Sequence, residues 1–202
     1  MERAETIMST TCTAFAGARR IASGGRGQVA LAVKDVVERG DGDPILVFDD
    51  TTSGLVEFDL RGGPADILAR LSGAGAAAKQ DGEPARGPGR PRLGVVPREV
   101  TLLPRHWEWL NSQPGGASVA LRKLVESARK SGAGADRSRL AREAADRFMS
   151  AMAGNQPGYE EAARALYAGD AAGFERAIAS WPADVRDHAR RLAAAAFEGD
   201  VA

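Results

Sequence analysis

Residues 72–92 read SGAGAAAKQDGEPARGPGRPR, and nothing in that stretch repeats with the period of a helix or a strand. Rich in glycine, alanine and proline, these 21 residues cannot join an apolar core. They are expected to form a flexible basic linker. The chain must therefore build its cores on either side of the linker, and with 202 residues it is long enough for one or two domains.

Before the linker, residues 11–71 read as a small α/β unit. TCTAFAG and RRIAS are short strands joined by a turn at Gly17-Ala18. Val29, Ala32, Val33, Val36 and Val37 recur at helical spacing and predict a helix that stops near Gly40. PILVFDD and LVEFDL flank Thr51-Thr52-Ser53-Gly54 and read as a β-hairpin. Pro64 opens a last helix over GGPADILARL. The expected order is ββαββα.

After the linker, residues 95–130 predict a strand (EVTLLP), a short helix opened by Pro104, a break at PGGAS and a second helix capped by Ser118. Leu121, Leu124, Val125 and Ala128 share one face of that second helix. Residues 136–197 read as a helical bundle with helices at 136–153, 157–168, 171–180 and 183–197. The breaks fall at Gly154-Asn155, Gly169-Asp170 and Trp181-Pro182. Leu140, Ala144, Phe148 and Met152 form one apolar stripe, and Val185, His188, Leu192 and Ala195 another. The fold class is α+β, with domains expected at 11–71, 95–130 and 136–197.

The formal net charge is zero, so any case for an anionic partner rests on local charge. Residues 84–130 hold nine arginines and lysines against three acids, while the flanking regions are slightly acidic. Cys12 is the single cysteine and His106 and His188 the two histidines, which argues against a disulfide or a structural zinc site. No metal and no cofactor are expected. The start, MERAE, does not read as a signal peptide, and no apolar run has the length of a membrane span. A cytoplasmic protein without membrane contact is the expectation.

EVTLLPRHWEWLNSQPGGASVALRKLVESARK resembles the ribbon-helix-helix DNA-binding module: a short strand, a proline at the first helix, a glycine turn and a capped second helix. The resemblance implies that two chains pair their strands into a ribbon that enters the major groove. It also implies that the start of the second helix holds phosphate. Physical chemistry agrees in part, because open amides at Gly116-Ala117-Ser118 attract an anion and Arg122 and Lys123 follow within a turn. Along the strand, Val100 and Leu102 share one face while Glu99, Thr101 and Leu103 share the other. A base-reading face with Thr101 as its one hydroxyl, beside an acid and a leucine, predicts binding to the backbone more than to bases. The expected dimer contacts are Val100, Leu102, Trp107 and Leu110.

Within the linker, Gly89-Arg90-Pro91 is similar to the core of an AT-hook, which implies an extended segment lying in the minor groove. Arg86 and Arg92 flank it, and Pro88 stands where that motif has an arginine. Arg86, Arg90, Pro91, Arg92, Arg98, Thr101, Arg105, Ser118, Arg122 and Lys123 are therefore the candidate DNA-binding residues. A tether beside a folded reader raises the local concentration of each for the other.

Other constellations read more plainly. Gly25-x-Gly27-x-x-Ala30 before a helix, with Asp49 and Asp50 downstream, fits a nucleotide loop in spacing only, because the strand before it begins with two arginines. Trp107 and Trp109 lie two apart on a helix and point to different sides, one toward a core or dimer contact. His188 sits on an apolar stripe and reads as a hydrogen-bonded core residue. The acids of VFDD and EFDL read as solvated turn residues, and no catalytic set is visible.

CTAFAG, RPRLGVVPREVTLLPRHWEWLNSQPGGASVALRKLVE, RFMSAMAGNQPGYEEAARALYAGD and WPADVRDHARRLA together resemble a bacterial family known as domain of unknown function 2239. That resemblance implies a bacterial intracellular protein and no particular activity. Three functions stay open. The first is a non-enzymatic, homodimeric DNA-binding protein, either a transcriptional regulator or a nucleoid-associated protein. The second is a protein-interaction scaffold that engages a partner through its C-terminal helices. The third is a nucleotide-binding enzyme using the Gly24–Gly27 loop.

Overall fold

The computed structural model describes residues 11–72 and 98–198. Those residues carry a three-stranded antiparallel sheet and seven helices. They fall into two compact units: a sheet unit of 11–72 with 134–198, and a central unit of 98–133.

β1 (Thr11–Ala16) and β2 (Arg19–Gly25) pair through a two-residue turn at Gly17, whose φ of 53° suits glycine. β3 (Ile45–Asp49) pairs with the other edge of β1, giving the order β2-β1-β3. β1 is buried on both faces, as a central strand between two layers must be. On one face Cys12, Ala14 and Val47 pack with Val29 and Val33 of α1 (Arg26–Arg39). On the other, Phe15 and Phe48 pack with Phe148, Val185, Leu192 and the other apolar residues of the C-terminal helices. Sheet and C-terminal helices thus share one core.

The second arm of the expected hairpin is not a strand. It makes an isolated bridge, Phe48 to Leu55, through two bonds of 2.9 Å, from the Val56 amide to the Val47 carbonyl and from the Asp49 amide to the Gly54 carbonyl. Beyond it the backbone finds partners elsewhere. Lys34 Nζ donates to the Leu60 carbonyl, and Arg70 donates to the carbonyls of Asp59 and Arg61. α2 (Pro64–Leu71) begins at the predicted proline, and the Asp66 carboxylate accepts from the Gly63 amide.

In the central unit, residues 98–103 carry no strand, and α3 spans Pro104–Ser112. α4 (Gly116–Ala153) is a single helix of 38 residues, where the sequence predicts one helix within 95–130 and another at 136–153, and it runs through Gly132 and Gly134. Each glycine costs such a helix about 1 kcal/mol. The helix runs through this turn nonetheless, and there Ser131 Oγ also bonds back to the carbonyls of Ser127 and Ala128. Flanking ion pairs, Glu126 with Arg129 and Arg139 with both Asp136 and Glu143, support it on either side. Ser118 falls inside the first turn of α4 rather than at its cap.

α5 (Tyr159–Ala168), α6 (Ala171–Ile178) and α7 (Ala183–Phe197) stop and start at the breaks expected from the sequence. Trp181 is buried, and its indole donates to the Pro157 carbonyl at 2.9 Å. Among the described residues, no helix is long and apolar enough to cross a membrane.

Candidate nucleic-acid interface and a buried polar network

The central unit has little interior of its own. Of its large and small apolar residues, Leu110 and Ala120 are buried, while Leu102 and Trp107 are half-buried. Val100, Leu103, Trp109, Leu124 and Val125 are 48–63% exposed. Five large apolar side chains are thus exposed on one short segment. Of the expected dimer contacts, Val100 is open, Leu102 and Trp107 are partly covered, and Leu110 is buried.

The basic residues of the unit are on its surface. Arg98, Arg105, Arg122 and Lys123 are exposed and form no ion pair with any described residue, and Thr101 and Ser118 are exposed beside them in sequence. Gly115 and Gly116 adopt φ of 88° and 73°, a left-handed turn that delivers the chain into α4. The first turn of α4 holds no acid, so the positive end of the helix is uncompensated. Arg86, Arg90, Pro91 and Arg92 lie outside the described residues.

The sheet unit holds a polar network that the sequence did not disclose. Thr13, fully buried on β1, donates its hydroxyl proton to Asp50 Oδ1 at 2.6 Å and lies 2.9 Å from the Ser23 hydroxyl. Arg191 Nη2, from α7, meets Asp50 Oδ1 at 3.2 Å and Thr13 Oγ1 at 3.3 Å. The same nitrogen lies 2.9 Å from Nδ1 of His188. Arginine only donates, so Nδ1 accepts and the imidazole proton sits on Nε2. That Nε2 is buried without a partner among the described residues. Burial, reinforced by the Arg191 charge, pushes His188 down from 6.5 to about 4. The same desolvation, with the nearby Asp50 charge, pushes the Cys12 thiol up to about 11. The network is therefore a neutral imidazole, a charge pair and two hydroxyls. His188 is a core residue, as expected, and His106 is exposed.

Asp49 and Asp50 do not serve the glycine loop at 24–27. Asp49 Oδ1 accepts from the amides of Thr51 and Thr52 and closes its own turn, and Asp50 is held by Thr13 and Arg191. Gly27 lies against α2, where an added Cβ would meet only the movable end of the Leu68 side chain. Among the described residues, no three of His, Cys, Asp and Glu gather as metal ligands.

The profile of a bacterial family described as "uncharacterized protein conserved in bacteria" (DUF2239) matches residues 11–193. No curated protein and no solved structure matches the chain.

Proposed function

Because the chain belongs to this bacterial family, whose description names no activity, we propose from its own residues that it is a non-enzymatic DNA-binding protein acting as a homodimer through residues 98–133. The carrying observation is the surface of the central unit: exposed Val100, Leu103, Trp109, Leu124 and Val125 beside the unpaired cations Arg98, Arg105, Arg122 and Lys123. A second copy covers the apolar residues, and two copies present a doubled set of cations to a polyanion. Segment 98–103 joins no sheet among the described residues, which leaves it open to pair with its twin. The uncompensated start of α4 suits a phosphate. Thr101 is the one hydroxyl on the face it shares with Glu99 and Leu103, so the backbone is gripped and the bases are read weakly. That profile fits a nucleoid-associated role better than a regulator of one gene.

Fluorescence anisotropy of a labelled duplex, with sedimentation of the complex, tests the reading. The full chain should bind as a dimer at about 50 mM salt and lose affinity steeply by about 200 mM. Absence of binding at the lower salt overturns it. A monomer that instead co-sediments with one stoichiometric protein partner transfers the same apolar surface to the scaffold function.

A further inference from the structure

The polar network opens on one side into a cavity of about 440 Å³ in the sheet unit. Its polar wall includes Arg191, Arg137, Thr11 and Thr51, and its apolar wall includes Leu140 and Leu192. The volume is that of a small-molecule site.

Two arginines face this cavity. Arg191 is anchored through Nη2 alone, by Asp50, Thr13 and His188. Its Nε and Nη1 have no partner among the described residues, and its side chain is 49% exposed. Nη2 is thus fixed, and because both two-pronged edges of a guanidinium include that nitrogen, Nη1 and Nε remain only as single donors. Arg137, on α4, has no ion pair among the described residues although acids flank it. Asp136 and Glu143 are both taken by Arg139, at 3.3 and 2.9 Å. Leu140 follows Arg137 by one helical turn, so cation and apolar side chain share a face, and Leu140 is 50% exposed. Asp50 also lines the cavity, so two guanidiniums and one carboxylate leave a single net positive charge.

We propose that this cavity binds a small monoanion with an apolar body, namely a carboxylate carrying a short alkyl or aryl group. The carboxylate meets Arg137 and a remaining single donor of Arg191, and the body lies along Leu140 and Leu192. One positive charge favours a monoanion over a phosphate dianion, and the guanidinium of Arg137, without a partner among the described residues, keeps a planar fork that matches a carboxylate in geometry. His188 acts as a positioning residue, because its uncharged Nδ1 accepts from Arg191 Nη2 and keeps that guanidinium turned without adding a competing cation. The proposal is independent of the DNA-binding reading, which rests on the other unit.

Titration calorimetry of the full chain with benzoate, and in parallel with the uncharged benzamide, tests it. Benzoate should bind with a Kd on the order of 1 mM or tighter and at least about tenfold better than benzamide. Arg137→Gln, an exposed change that leaves the Asp50–Arg191 pair intact, should weaken benzoate about tenfold with an unchanged melting temperature and unchanged DNA affinity. Equal binding of benzoate and benzamide, no binding of either, or an unaltered benzoate Kd in Arg137→Gln overturns the proposal.

Discussion

The imidazole of His188 lies 4.4 Å, centroid to centroid, from the ring of Phe148, and 5.3 Å from that of Phe15. An ionisable ring so enclosed by phenyl groups is held neutral, at about 4 against an ordinary 6.5. Between those two pH values the unfolded chain takes up a proton that the native chain refuses. Stability is therefore complete above pH 6.5, falls as pH drops toward 4, and levels off below. The shift amounts to about 3 kcal/mol. His188→Phe should lack this component. The difference in unfolding free energy between wild type and variant, extrapolated from urea titrations, should change by that amount between pH 7.5 and pH 4, and parallel profiles would show that the ring does not carry it.

Gly158 precedes α5 with a φ of 83°, and a Cβ there would collide with the Ala177 carbonyl oxygen. Both the left-handed backbone and the close approach of α6 require glycine. Gly158→Ala should cost about 1–3 kcal/mol in chemical denaturation. A variant as stable as wild type would mean that α5 and α6 can separate at no cost.

Cys12 is fully buried on β1 and its thiol is pushed up to about 11 by burial. The reactive thiolate is absent at neutral pH. A thiol reagent such as Ellman's should leave the native protein unlabelled over hours, and labelling should rise in step with unfolding as denaturant is added. Complete labelling in native buffer within minutes contradicts the burial.

Trp109 and Val125 are 51% and 63% exposed on the central unit. If a second copy covers them, Trp109→Glu or Val125→Glu places a charge in an apolar contact and should convert dimer to monomer by sedimentation. The sheet unit should keep its melting behaviour, because neither residue contributes to its core. Variants that remain dimeric would move the contact elsewhere.

Arg122 and Lys123 follow the start of α4 and are both exposed. Replacing both with alanine in a dimer removes up to four phosphate contacts. The slope of log affinity against log salt should then flatten by about 2–4. An unchanged slope removes this helix from the interface.

Much of the fold could be read from local patterns. Val29, Val33 and Val36 marked the buried face of α1, Pro64 the start of α2, and Gly169-Asp170 and Trp181-Pro182 the ends of the C-terminal helices. These signals work because caps, prolines and helical spacing act over a few residues. What escaped depends on distant partners. TCTAFA alternates no more than an edge strand does, so nothing local says that both its faces are covered. Asp50 looked like a solvated turn acid, yet its side chain is 16% exposed because Arg191, 141 residues away, closes over it. The fourth strand failed for a related reason, since Lys34 and Arg70 satisfy backbone carbonyls that would otherwise have sought a ladder. The arginines of the linker were visible as charge, but spacing alone assigned them no geometry.

The bond between Thr13 and Arg191 joins residues 178 apart in the chain. A ribosome adding about 5–20 residues per second finishes β1 roughly 10–35 s before α7 emerges to meet it. During that interval Phe15 and Phe48 have no inner cover, while Val29 and Val33 can already seat against Cys12 and Ala14. Synthesis thus produces a half-clad sheet first and completes it last. In a cell, the vulnerable period of this protein is set by translation, and slow codons between 50 and 185 would lengthen it.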